Sequence, residues 1–164
     1  MSIFPARVLL ATDGSKEATL AARTAADIAE NTGSELHTVL VGLSTAYIGI
    51  EPPEIADIPA PWQQELNEES LRLLVDQVRH IEAAGATVAR AHPRTGRLDE
   101  EIIALADEIG AGLIVVGSRG LGAIRWALMG SVSDPIVRHA HCPVLVVRRE
   151  KPYGEEPEED MFLA

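Results

Sequence analysis

The sequence predicts an α/β fold, a doubly wound sheet of five parallel strands with helices on both faces, in a single domain. Short apolar or β-branched runs recur at Arg7 to Thr12, Leu36 to Leu43, Thr87 to His92, Leu113 to Val116 and Val144 to Arg148. The unbroken run from Leu113 suits a strand covered on both faces, as parallel sheets require. Helical periodicity separates successive runs, so each connection is a right-handed crossover between parallel strands. With 164 residues the chain is long enough for one domain that buries about two-thirds of its unfolded surface.

After the first run, Asp13-Gly14-Ser15 turns into an alanine-rich helix that reaches about Thr32. Ala18, Ala21, Ala22, Ala25 and Ala29 recur at helical spacing, giving a narrow face of small side chains that can lie close to a sheet. Gly33 stops it. Residues 44–61 interrupt the pattern with Pro52, Pro53, Pro59 and Pro61, and a stretch of that length without periodicity is usually a functional or mobile loop. A long helix then runs from about Pro61 to Gly85. Its inward marks are Trp62, Leu66, Leu73, Leu74, Val78 and Ile81, and its solvated face is Glu65, Glu68, Glu69, Arg72, Asp76 and Arg79. Gly96 leads into a helix over Leu98 to Ile109, with Ile102, Ala106 and Ile109 inward and Gly110 as its stop. A last helix runs from about Val132 to His139. Residues 1–149 thus form the domain; 150–164 hold too few apolar residues to join its core and read as an acidic, disordered tail.

Composition narrows the function. The chain is 46% apolar and 24% charged, an ordinary globular balance. Of the formal charge of −11, the tail from Glu150 contributes −5, six acids against Lys151, and the body the remaining −6. No cluster of Lys and Arg offers a face to a nucleic-acid backbone, so that partner is not expected. Neither a signal-peptide pattern nor an apolar run of about 18 residues is present, so a cytoplasmic protein without a membrane partner is expected. Cys142 has no partner for a disulfide, and His139, His141 and Cys142 lack the spacing of a structural zinc site.

The chemistry concentrates between Leu113 and Ser133. Gly117, Gly120 and Gly122 follow the fourth strand, where backbone can approach a ligand unobstructed. Gly130 precedes Ser131-Val132-Ser133-Asp134, which has the form of a capping box and leaves N–H groups and a positive helix end facing outward. Strand, glycine loop and helix start together stabilise phosphate.

The spacing Gly117-x2-Gly120-x9-Gly130-Ser131 resembles the nucleotide-binding signature of the universal stress protein family, in its ATP-binding branch. Val8 to Ser15, Gly96-x3-Glu100-Glu101-Ile102 and Cys142-Pro143-Val144 to Val147 are similar to that family's other landmarks, in its order, and the likeness covers roughly residues 5 to 149. The resemblance implies strand order 3-2-1-4-5, in which strands 1 and 4 are neighbours and ligands bind at their carboxyl ends. It implies ATP with Mg²⁺ as ligand, and a homodimer through the edge strand Val144 to Arg148.

On these positions the phosphates meet Gly117, Gly120, Gly130 and the N–H groups of Ser131, Val132 and Ser133. The opening motif brings Ala11, Thr12 and Asp13 to the nucleotide, and Val41 matches the position whose backbone meets adenine. Asp13 either bonds a ribose hydroxyl or holds Mg²⁺, or simply caps the helix as a turn aspartate. Arg119 reaches a phosphate or points to solvent. Pro135 and His141 depart from the family pattern. Efficient ATP turnover is not expected: the chain has no Gly-x-x-x-x-Gly-Lys-[Ser/Thr] cradle and no His or Glu placed to activate water. The glycines follow the fourth strand without an acidic ribose partner about 20 residues on, which argues against a dinucleotide oxidoreductase. The reading is a stress-response sensor that binds an adenine nucleotide with at most slow hydrolysis; the alternatives are a nucleotide-free dimeric scaffold and a cyclic AMP binder.

Overall fold

The computed structural model of the chain describes residues 6–13, 16–43, 60–118 and 133–148. Strand β1 (Arg7–Ala11) leads to helix α1 (Lys16–Thr32), then β2 (Glu35–Leu43), α2 (Ala60–Ala83), β3 (Val88–Gly96), α3 (Leu98–Ile109), β4 (Leu113–Gly117), α4 (Ser133–His139) and β5 (Val144–Val147). The sheet has the order β3-β2-β1-β4-β5 with every pair parallel. Order and orientation are those expected.

Alternation along the central strands divides the core in two. Leu9, Ala11, Val39, Val41, Ile114 and Val116 face α3 and α4 and pack with Leu98, Ile102, Leu105 and Ile136. Val8, Leu10, Leu36 and Val115 face α1 and α2 and pack with Ala21, Ala25, Ala29 and Ile81. Both faces of β1 and β4 are therefore dry, which is why their sequences are apolar without a break.

All five alanines of the α1 stripe are buried, so the helix lies on the sheet with no large side chain between. Its end is a Schellman arrangement: Gly33 takes φ +68°, and the Ser34 N–H donates to the Ala29 carbonyl at 2.9 Å. Helix α3 closes in the same way at Gly110, where φ is +65° and the Ala111 N–H donates to the Ala106 carbonyl at 2.8 Å. Pro135 is the third residue of α4, where its missing N–H has no intrahelical partner to lose.

Two local expectations need correction. Leu73 is 38% exposed, and α2 is seated instead by Leu74 and Ile81, two turns apart; one residue along a helix rotates a side chain about 100°. Strand β3 runs on past His92 to Gly96, through Pro93 and Arg94. As an edge strand it has only one paired side, so proline is tolerated there.

Candidate functional site

The site is defined by where two neighbouring strands separate. β1 and β4 are paired side by side through Leu10 and Val115. Their mutual register ends there, while each stays paired with its outer neighbour: the Thr12 N–H donates to the Val39 carbonyl of β2 at 3.0 Å, and the Ser118 N–H donates to the Val147 carbonyl of β5 at 2.9 Å. The carboxyl ends of these two strands are the switch point of a doubly wound sheet, the place where such folds bind ligands.

Several of the expected residues converge there. Asp13 follows β1 on one lip and is half-buried; Gly117 and the buried Ser118 end β4 on the other. Ser133 is 2% exposed and begins α4, which packs through Ile136 against the same sheet face. Val41 lies on that face near the end of β2, two residues past Val39, the partner of Ala11. Arg119, Gly120, Gly130, Ser131 and Val132 fall outside the described residues.

Thr12 belongs to the opposite face. Its side chain is buried toward α2, and its hydroxyl is 3.3 Å from Oε1 of Gln77, a fit for O–H donation to the amide oxygen. Gln77 was not singled out from sequence, since nothing in its position along α2 marks it as the residue that meets the β1 turn. The effect of the contact is to fix the backbone immediately before Asp13. The sequence does not mark Ser118 either; it is buried and its N–H continues the β4–β5 ladder by donating to Val147.

Asp13 is a single carboxylate, and among the described residues no group of three or more His, Cys, Asp and Glu side chains is placed to hold a metal ion. That donor set fits Mg²⁺ only if phosphate oxygens complete the shell, as is common for that ion. At the other end of β5 the His141 Nδ1 lies 3.2 Å from the Asp107 carboxylate, and burial, reinforced by Asp107, pushes the neighbouring Cys142 thiol above its ordinary range. Both effects disfavour the thiolate, the form that acts as nucleophile or metal ligand. A separate cleft of about 520 Å³ between the start of α3 and α4 is lined by Arg97, Asp99, Asp134 and Arg138 among others. Its charges satisfy one another, Arg97 with Asp99 at 3.0 Å and Arg138 with Asp134 at 3.1 Å.

The architecture is thus that of a doubly wound α/β protein whose switch point is flanked by an aspartate and a glycine. The universal stress protein family model matches residues 6–148. A relative from Staphylococcus haemolyticus that carries the universal stress protein name is 36% identical over 154 residues, 92% of this chain and 90% of its own. The chain belongs to the universal stress protein family. Among solved structures, the universal stress protein UspA from Lactobacillus plantarum superposes with a TM-score of 0.71 at 22% identity, over 87% of this chain and 97% of that one, a likeness of fold. A universal stress protein in complex with cAMP superposes with a TM-score of 0.65 at 26% identity, with the same coverage of both chains. No helix among the described residues is long and apolar enough to cross a membrane.

Proposed function

We propose that this chain binds ATP, or another adenine nucleotide, at the switch point between β1 and β4 and acts as a regulator that senses the nucleotide without rapidly consuming it. The observation that carries the reading is the separation of β1 from β4 just before Asp13 and Gly117, in a family with a member solved in complex with cAMP. Val41 offers its backbone to the adenine, and Asp13 takes the ribose or, with phosphate oxygens, Mg²⁺. Gly117, Arg119, Gly120, Gly130 and the N–H groups of Ser131, Val132 and Ser133 hold the phosphates. The β5 edge supplies a homodimer contact by pairing with a second copy, and the protein works in the cytoplasm.

Cyclic AMP is the competing ligand, favoured by the cAMP complex of the 26% identical relative. Calorimetric titration with ATP, ADP, AMP and cyclic AMP, with and without Mg²⁺, separates the possibilities. ATP is expected to bind more tightly than cyclic AMP and to gain affinity with Mg²⁺, and Gly130→Val is expected to abolish binding with the fold intact. Absence of binding by all four nucleotides would leave the scaffold reading. Phosphate release followed over hours should show few turnovers; many per minute would contradict a sensor.

A further inference from the structure

A second constellation lies away from the switch point, between β2 and the edge strand β3. The imidazoles of His37 and His92 stack with centroids 5.3 Å apart and planes 15° from parallel, and Nδ1 of His37 faces Nε2 of His92 at 3.0 Å. His37 is only 7% exposed. This meeting depends on an irregularity in the ladder. Leu36 pairs with Val88 but His37 pairs with Arg90, so Ala89 is an extra residue on β3. Strand side chains alternate, so without that residue His92 would lie level with Leu40, on the α1 and α2 face. With it, His92 lies level with Val39 and joins His37 on the α3 face.

The surroundings fix the protons. Glu35 Oε2 accepts from Arg7 Nε at 3.0 Å and faces His37 Nε2 at 3.4 Å. The Arg7 hydrogen bond first, and that of His37 second, hold the Glu35 carboxyl below its ordinary range, so it is an ionised acceptor. His37 therefore carries its hydrogen on Nε2 and presents a lone pair at Nδ1, and His92 Nε2–H is the donor between the rings. A first added proton can go to His92 Nδ1 with the contact intact. A second, on His37 Nδ1, would set two N–H groups head to head at 3.0 Å and must break it.

We propose that the His37–His92 pair is a pH-sensitive latch that ties edge strand β3 to β2 near neutrality and lets it go in acid. The charged groups around it agree. Burial first, then the charge that a protonated His37 would add, then the positive charges of Arg90 and Arg94, resist protonation of His92, against the smaller opposing pull of Glu108 on α3. Arg94 itself is held by Glu108 and lies 4.0 Å from Glu101, so its charge stays beside the pair. In the unfolded chain each imidazole takes its own proton near pH 6.5. The unfolded state then binds more protons than the latched one, and stability falls as pH falls below that value. The strand released is the one whose Arg94 pairs with Val41; the latch holds whether or not a nucleotide reaches Val41.

Hydrogen exchange of the β3 amides, corrected for intrinsic rates, tests it on the ligand-free full chain at pH 7.5, 6.5 and 5.5. A deficit of one bound proton corresponds to about tenfold in the opening constant per pH unit. Protection of β3 is expected to fall by about that factor between the two lower values, with β1 and β4 unchanged. In His92→Gln, whose amide donates to His37 Nδ1 and can turn its oxygen to accept once that nitrogen is protonated, β3 protection should be level across the range. The same pH dependence in the variant as in the original chain would overturn the proposal. Should the variant not fold, nitrogen-resolved NMR of the two imidazoles decides: two independent titrations with the β3 amides unaffected would overturn it equally.

Discussion

At the scale of the residue, most of the charged side chains described here act on their immediate neighbours. The carboxyls of Glu35 and Glu108 are held below the ordinary range by hydrogen bonds from Arg7 and Arg94 respectively. Each contributes stability that is present above pH 4.5 and is lost as pH falls through its lower folded value. Arg94→Ala should therefore lower the plateau of the stability profile above pH 4.5, only slightly because the pair is exposed, and the two profiles should converge as pH falls, which flattens the acid limb read by urea denaturation. A profile with an unaltered acid limb would show that the Arg94–Glu108 pair contributes nothing. Gly96 is a different case, at φ +146°, where an added Cβ would lie 2.9 Å from Oε1 of Glu101. The Glu101 side chain can swing away, but the backbone angle cannot be relieved. Gly96→Ala is expected to cost about 1 kcal/mol or more, seen as a lower urea midpoint with an unchanged slope.

Among elements, α1 and β3 show what sequence can and cannot specify. The alanine stripe of α1 carries its own instruction: small residues at helical spacing mean close approach, and Ala21 and Ala25 are fully buried against the sheet. Ala21→Leu should consequently overpack that contact at a cost of about 1–3 kcal/mol, measured as a loss of thermal and urea stability. Gly33 and Gly110 were equally readable, because a positive φ after a helix is a local demand that few other residues meet. Local rules end β3 at His92 because Pro93, Arg94 and Thr95 look like loop; only the pairing with Leu40, Val41 and Gly42 makes them strand. The His37–His92 contact was invisible for the same reason. One inserted residue in the ladder decides which face His92 takes, and that insertion belongs to the pairing of two strands rather than to either sequence.

For the whole molecule, the crossovers imply parallel strands, the family resemblance implies their order, and that order fixes the position of the switch point. Asp13 and Gly117 lie about a hundred residues apart in sequence, yet parallel pairing of β1 with β4 brings the segments that end in them to one edge. Their convergence was legible because both end apolar runs. The Thr12–Gln77 contact was not, because it depends on how α2 lies over the sheet. The account as a whole rests on a nucleotide occupying that edge, and backbone NMR during titration with ATP and Mg²⁺ tests this most directly. The amide signals of Thr12, Asp13, Val41, Gly117 and Ser133 should shift together and saturate at a single affinity, with those around Arg79 and Gly85 unmoved. A groove between α1 and α2 is lined by Arg23, Gln77 and His80 among others; shifts confined to it, or no shifts at millimolar ATP, would contradict the account.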